Sequence, residues 1–240
     1  MGASLVGWVA GLWRYPVKSM APESLAQVGV SWHGVAGDRR WALLDDGRRG
    51  SGFPWVTQRE RPELARYRPS FRVPDRPDKS PVEVTTPDGD VLAITDPALV
   101  AGLGADVRAV KQDRGIFDTM PLSLITTQTV TALGEIVGRP LEVERFRPNV
   151  LVVAERDAAF AEDDWVGCSV SIGGACLRID ARDRRCVSVN VDPVTTERDP
   201  SILRAIVRSR GARLGVYGST VQPGDVAIGD PVVLAGPPRR

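Results

Sequence analysis

The sequence predicts a mainly β chain with a few short helices, an α+β fold, and three observations carry that prediction. Apolar and polar residues alternate over short runs through most of the chain, and turn pairs such as Asp88-Gly89 and Gly173-Gly174 sit between the runs. Only two stretches show a helical apolar stripe with start and stop signals at both ends. At 240 residues, 42% of them hydrophobic, the chain can bury one large core or two modest ones.

Leu5 to Trp13 reads as the first strand, with Trp8 and Trp13 in it and Pro16 stopping the ladder. The loop Tyr15 to Ser19 follows, and its Lys18 and Ser19 offer a phosphate one charge and one hydroxyl. Asp38, Arg39 and Arg40 then precede a buried strand, Trp41 to Leu44, that ends in the turn Asp45-Asp46-Gly47. Neighbouring arginines at a strand start point to opposite faces, so one looks inward at a ligand while the other meets solvent. Phe53 to Arg59 reads as a further strand arriving at a polar end. Prolines limit the helix after it, Pro74 to Ser80 is an exposed loop, and Val82 to Thr95 is a hairpin turning at Pro87 to Asp90.

In the second half, Pro97 to Leu103 is a short helix and Val107 to Gln112 a strand. Val130, Leu133, Ile136 and Val137 share one helical face, Thr126 or Thr127 caps its start, and Gly138 with Pro140 ends it. A threonine there can also bond a phosphate or a carbonyl, because helix starts collect anions. Arg147, Pro148 and Asn149 are set in front of a buried strand, Val150 to Val153. Ser169 to Ile179 forms a hairpin about Gly173-Gly174. A second helix starts at Asp199 and Pro200, carries Leu203, Ile206 and Val207, and closes at Gly211, before a tail of short strands and turns.

Arg182 to Pro193 is the chemically richest stretch. Cys186 follows Arg184 and Arg185 and opens a β-branched run, Val187, Val189 and Val191, whose alternation suits a half-buried strand. Two arginines favour the thiolate, the form that attacks electrophiles or binds a soft metal, whereas a single cysteine is also an ordinary small hydrophobe. Cys168 and Cys176 are explained as packing in their hairpin, and His33, the only histidine, is structural for want of a ligand partner at the right spacing. Without CxxC spacing, a disulfide scaffold and a zinc site are disfavoured, and a reducing cytoplasmic setting fits. A net charge of +1 with mixed signs gives nucleic acid no global basic surface. No run reaches membrane-spanning length and the N-terminus lacks a basic leader, so a soluble protein with no membrane partner is expected. Lysine occurs only at Lys18, Lys79 and Lys111, and arginine supplies the other positive charges, which suits bidentate recognition of phosphate or carboxylate.

Taken in order, the motifs Tyr15 to Ser19, Gly37 to Trp41, Thr57 to Arg59, Ser123 to Thr127, Phe146 to Asn149, Arg185 to Pro193 and the closing PGDVAIGDPV resemble the MOSC superfamily. The nearer likeness is to bacterial relatives of the mitochondrial amidoxime-reducing component. The resemblance implies an N-terminal β-barrel-like module, residues 1–95, packed on a MOSC β-barrel domain, residues 96–240. It implies molybdenum cofactor, a Mo-molybdopterin, with Cys186 as catalytic residue and metal ligand. It also implies cofactor contacts from Lys18, Ser19, Arg39, Thr126, Arg147, Asn149 and Arg185. Pyridoxal phosphate binding accompanies such domains only as a family-level description. The implied reaction is reduction of N-hydroxylated compounds by oxygen-atom transfer. With no cysteine cluster or haem motif in the sequence, a separate electron-donor protein, ferredoxin-, flavodoxin- or cytochrome-like with its reductase, is expected. Asp38 and Asp192 are candidates for orienting ligands or delivering protons, and turn or ion-pair roles serve them equally. Where relatives carry a Thr-Thr pair before the VDP, this chain has Ser188, Val189 and Asn190, so Asn190 is expected to replace a threonine hydroxyl or substrate choice to differ. A persulfide sulfur carrier using Cys186 and a cofactor-binding or storage protein are the alternatives.

Overall fold

The computed structural model describes residues 3–48, 50–104 and 106–236. Strands Val150–Ala154, Leu122–Thr126, Arg213–Gln222, Ala175–Arg184, Ser169–Ile172, Pro231–Ala235 and Ser4–Arg14 follow one another, and the last pairs back onto the first to close a barrel. Neighbours are antiparallel except Leu122–Thr126 and Val150–Ala154, which run parallel and so need a crossover. After the short helix α1, Pro97–Gly102, helix α2, Thr127–Val137, supplies that crossover.

Alternation along the strands sorts side chains between two cores. Leu122 and Leu124 join Val150, Val152, Leu177 and Ile179 inside the barrel. Ile125 faces outward and packs with Leu133, Phe146, Ile202 and Ile206 under α2 and a third helix, α3, Pro200–Arg210. Both long helices start and stop as their sequences predict. The Thr126 hydroxyl accepts from Thr129 N, Asp199 accepts from Ser201 N, and left-handed Gly138 and Gly211 end the two helices.

Three small sheets remain: two surround a third core that includes Val17, Met20, Leu43, Phe71 and Val84, and the other, through Val28, Val30, Val35 and Val226, packs into the barrel core. Trp41–Asp45 pairs with Val107–Lys111, and Arg68–Phe71, Val82–Thr85 and Val91–Ala93 make a meander. Gly224–Ala227 reaches back from the end of the chain to pair with Gln27–Ser31. The two halves are therefore laced at both ends: the first strand completes the barrel, and a late strand completes an early sheet. Among the described residues no helix is long and apolar enough to cross a membrane.

Two predicted strands are not formed. Phe53 to Arg59 makes only an isolated bridge, Trp55 to Leu44, because Pro54 has no N–H for a ladder and Thr57 O accepts from Glu60 N and Arg61 N in a turn. Val187 to Asn190 is a 3-10 turn, with Val189 N bonded to Cys186 O. The turn buries both Val189 and Val191 at 2% exposure and leaves Val187 at 50%, a result that alternation along a strand does not give.

The cap of α3 gives a test. Asp199→Ala should lower unfolding stability by about 1 kcal/mol at neutral pH, the usual worth of such a cap. Hydrogen bonds from Ser201 and Arg139 hold the Asp199 carboxyl at about 2, below its ordinary 3.8. A depressed native value means the contribution is complete above the ordinary one and fades as pH falls toward 2. Urea unfolding of wild type and variant should therefore differ at pH 7 and converge in acid.

Candidate functional site

The basic motifs converge on one side of the barrel, where they line a common cavity. Leu12 lies opposite Val150, Leu124 lies beside Val150, and Arg184 lies opposite Arg213. The loop after the first strand and the segment before Val150 thus meet at one end of the barrel, while Ala175–Arg184, antiparallel to the first strand, exits toward the other, and its Asp183 and the following Arg185 reach these motifs along the outer face through Ser123, Tyr217 and Phe146 O. The cavity opens there, and Lys18, Ser19, Arg39, Arg147, Asn149, Arg185 and Cys186 all line it. Its wall passes from buried Lys18, Asp183 and Arg185 to exposed Asp118, Thr119 and Arg184.

Tyr15 organises the floor. Two guanidinium groups lie over its ring, Arg39 at 4.5 Å and Arg147 at 4.2 Å from the centroid. The hydroxyl donates to Pro148 O at 3.1 Å, and the Tyr15 backbone N donates to Asp38 Oδ1 at 2.7 Å. Asp38 also pairs with Arg39, whose Nη2 donates to Arg147 O. Burial pushes the Tyr15 phenol well above its ordinary value, so it stays neutral beside the two cations. Burial lowers Arg147 to about 10, with Tyr15 opposing and Arg39 adding to the fall. Burial acts to lower Arg39, but Asp38, with Tyr15 and Tyr217, raises it overall. Ser19, Arg39 and Arg147 all have positive φ, at 68°, 49° and 49°, and backbone strain of this kind gathers at ligand sites.

Two carboxylates balance part of this charge. Asp118 bridges Lys18 and Arg59, and those cations outweigh burial and hold its carboxyl below the usual range. Burial lowers Lys18, and Asp118 partly restores it. Asp183 pairs with Arg185 at 2.8 Å, accepts from Ser123 Oγ at 3.2 Å and shares a hydrogen bond with Tyr217. Burial raises both Asp183 and Tyr217. Arg185 reaches its place over Gly215, whose φ is +71° and where a Cβ would come within 3.0 Å of Arg185 Nη2. Nη2 of Arg147 and Nη2 of Arg185 are buried donors with no hydrogen-bond partner among the described residues.

At Cys186 the sequence reading needs revision. Arg185 donates to Leu214 O and Phe146 O instead of to the thiol, and Arg184 projects to solvent. The guanidinium that meets the sulfur is that of Arg59, which the thiol and Asp118 raise against the effect of burial. The hydroxyl that meets it is that of Ser188, 3.1 Å from Sγ. Asn190 does not take the threonine's place: its Oδ1 accepts from Leu203 N and anchors α3. Thr126 lies outside the cavity, because its hydroxyl caps α2 and bonds buried Glu162 at 2.8 Å. Asn149 borders the cavity with its amide already used, bonding Ser123 N and Trp13 O. Asp192 and Arg145 form an ion pair, and Asp192 accepts from Val194 and Thr195 in a turn. Arg39 faces the cavity as one of two opposed arginines, but Arg40 on the other face is itself 7% exposed and pairs with Asp78. Tyr15, Arg59, Asp118, Asp183, Ser188 and Tyr217 were not singled out as site residues by the sequence. Tyr15 and Arg59 sit inside motifs that were, while Asp118 has no pattern around it.

Comparison with known proteins matches residues 6–113 to the MOSC N-terminal beta barrel domain and residues 111–233 to the MOSC domain. The chain is similar to mitochondrial amidoxime-reducing component 1 of Xenopus laevis, 33% identical over 128 residues, covering 48% of this chain and 36% of that protein. The human protein of that name is 26% identical over 145 residues, covering 55% and 42%. The chain thus spans less than half the length of these two relatives in its matches, while the mouse protein is 24% identical with 96% of this chain and 83% of its own length covered. The crystal structure of the YUAD protein from Bacillus subtilis shares the fold, with a TM-score of 0.55 and 14% identity over 98% of both chains.

The Tyr15 stack gives a second test. Tyr15→Phe keeps the ring and loses only the bond to Pro148 O, so it should cost about 1 kcal/mol. Tyr15→Ala removes the surface both guanidiniums rest on and should cost about 3–5 kcal/mol. Denaturant unfolding of the two variants against wild type measures the difference.

Proposed function

Because this chain belongs to the MOSC family, with the MOSC N-terminal beta barrel domain ahead of the MOSC domain, we propose that the cavity binds a molybdenum cofactor and that the protein reduces N-hydroxylated compounds. The observation that carries this reading is the pair of buried, unpartnered guanidinium donors, Arg147 Nη2 and Arg185 Nη2, in the same cavity as the Cys186 thiol. A buried donor without a partner costs about 1–3 kcal/mol, so such donors point to an anionic acceptor. A phosphate-bearing pterin supplies the acceptor, and a thiolate is the ligand a soft metal prefers. The donor set therefore fits the group.

When bound, the cofactor supplies the two-electron chemistry by which an N–O bond loses its oxygen. The chain supplies the hold. Arg147 and Arg185 bind phosphate or pterin, with Lys18 and Ser19 at the edge of the same floor. Arg39 fixes Arg147 through Tyr15 and through its own bond to Arg147 O. Cys186 is the metal ligand, and Ser188 and Arg59 orient its sulfur. Asp118, exposed at the rim and tied to Lys18 and Arg59, is a cavity carboxylate able to exchange protons with solvent. Electrons come from a separate ferredoxin-, flavodoxin- or cytochrome-like donor.

Molybdenum and pterin content after expression in cells that make the cofactor tests the reading. Wild type should hold both in equal amounts, and Cys186→Ala should lose most of the metal while keeping pterin. Wild type without pterin, or with an extra sulfur on Cys186 by mass, would favour the sulfur-carrier alternative.

A further inference from the structure

The cavity holds more positive charge than the protein neutralises. Lys18 and Arg59 share Asp118, Arg39 takes Asp38, Arg145 takes Glu142 and Asp192, and Arg185 takes Asp183. Two of the cavity's basic residues have no carboxylate among the described residues, Arg147 and Arg184. Arg147 is half-buried with its Nη2 out of solvent, and the cofactor reading above uses it. Arg184 is exposed at the rim, two residues before Cys186, and has neither a side-chain hydrogen bond nor an ion pair among the described residues.

Its cross-strand partner makes the imbalance larger. Arg184 stands in register with Arg213, also exposed, whose side chain among the described residues bonds only Gly211 O, at 3.4 Å. Side chains directly opposite on antiparallel strands share a face, and like charges there repel and destabilise the pair. A buried phosphate on the floor does not relieve a repulsion at the exposed rim. Two guanidinium groups based on one face can, however, both donate to the oxygens of a phosphate or carboxylate.

We propose that Arg184 and Arg213 form an outer anion site, and that the protein's substrates are N-hydroxylated compounds carrying a phosphate or carboxylate away from the N–O bond. The inference rests on the reductase reading for its substrate class, while the outer anion site itself does not depend on it. An anionic tail held at the rim leaves the opposite end of a small substrate directed into the cavity, toward Cys186. Neither arginine needs to touch the reacting atoms, so the pair acts on specificity.

The test uses holoprotein, reduced chemically so that no partner protein enters, with benzamidoxime and its 4-carboxy and 4-phosphonooxy derivatives as substrates. Arg184→Gln and Arg213→Gln should each raise KM for the two charged substrates about tenfold, as expected for loss of one charge-assisted contact. KM for the neutral parent should change by less than about twofold. Equal effects on charged and neutral substrates, or none, would overturn the proposal. A second readout needs no turnover: inorganic phosphate is titrated into wild type, Arg184→Gln and Arg147→Gln by calorimetry, with pterin content measured on each. Phosphate binding lost in Arg184→Gln with pterin retained supports the outer site. Pterin lost in Arg184→Gln assigns that arginine to the cofactor and overturns it. If the wild type carries no molybdenum, the reductase reading fails, and the phosphate titration still decides the rim site: sensitivity to Arg184→Gln supports it and insensitivity overturns it.

Discussion

Two guanidinium groups stacked over the ring of one buried tyrosine set the terms for the rest of the molecule. Arg39 comes from the N-terminal half and Arg147 from the barrel half, and Tyr15, whose ring they share, belongs to the loop that leaves the first barrel strand. Each cation taken from water costs several kcal/mol unless its surroundings answer it. Asp38 answers for Arg39, and the ring answers in part for both. What remains unanswered is Nη2 of Arg147, and with it Nη2 of Arg185. The left-handed backbone at Arg39 and Arg147 belongs to the same cost, since neither residue adopts it without support. Such a site persists only where the fold over-determines it.

The lacing of the two halves provides that over-determination. Asn149 exchanges bonds with Trp13 and Ser123 and so pins three barrel strands at the rim just where Arg147 departs. Tyr15 donates to Pro148 O across the join, and Arg147 donates to Met20 O. Ser4–Arg14 completes the barrel, while Gly224–Ala227 completes a sheet of the other half. The floor of the cavity therefore forms only when both halves have folded together, and a ligand that satisfies its free donors stabilises the assembled state.

Most of the fold was legible in the sequence because it rests on local signals. Alternating runs became strands, the Gly173-Gly174 pair became a hairpin turn, and Thr126, Asp199, Gly138 and Gly211 bound the two long helices as their chemistry requires. The misreadings came where tertiary contacts override alternation. Val187 to Asn190 curls into a turn so that Val189 can pack beneath α3, and Pro54 limits its segment to a single bridge. Motif positions found the cavity's basic floor, but not its balance. Asp118, Asp183 and Tyr217 are distant in sequence from the cations they face, and Arg184 shows its lack of a partner only once Arg213 stands opposite. Thr126 carries the same ambiguity from the other side, since a cap and an anion contact use the same hydroxyl, and Glu162 decides between them.

On the proposed reading, floor, wall and rim would divide the work of the site: Arg147 and Arg185 would clamp an anionic carrier, Cys186 would offer sulfur to the metal it brings, and the rim would meet what arrives from solvent. Anomalous diffraction at the molybdenum edge, from crystals of protein made in cells that supply the cofactor, tests that division most directly. The account predicts metal density on the Cys186 sulfur and a pterin phosphate against Arg147 Nη2 or Arg185 Nη2 in the same cavity. Metal bound elsewhere, or a phosphate that leaves both buried donors without a partner, would contradict it.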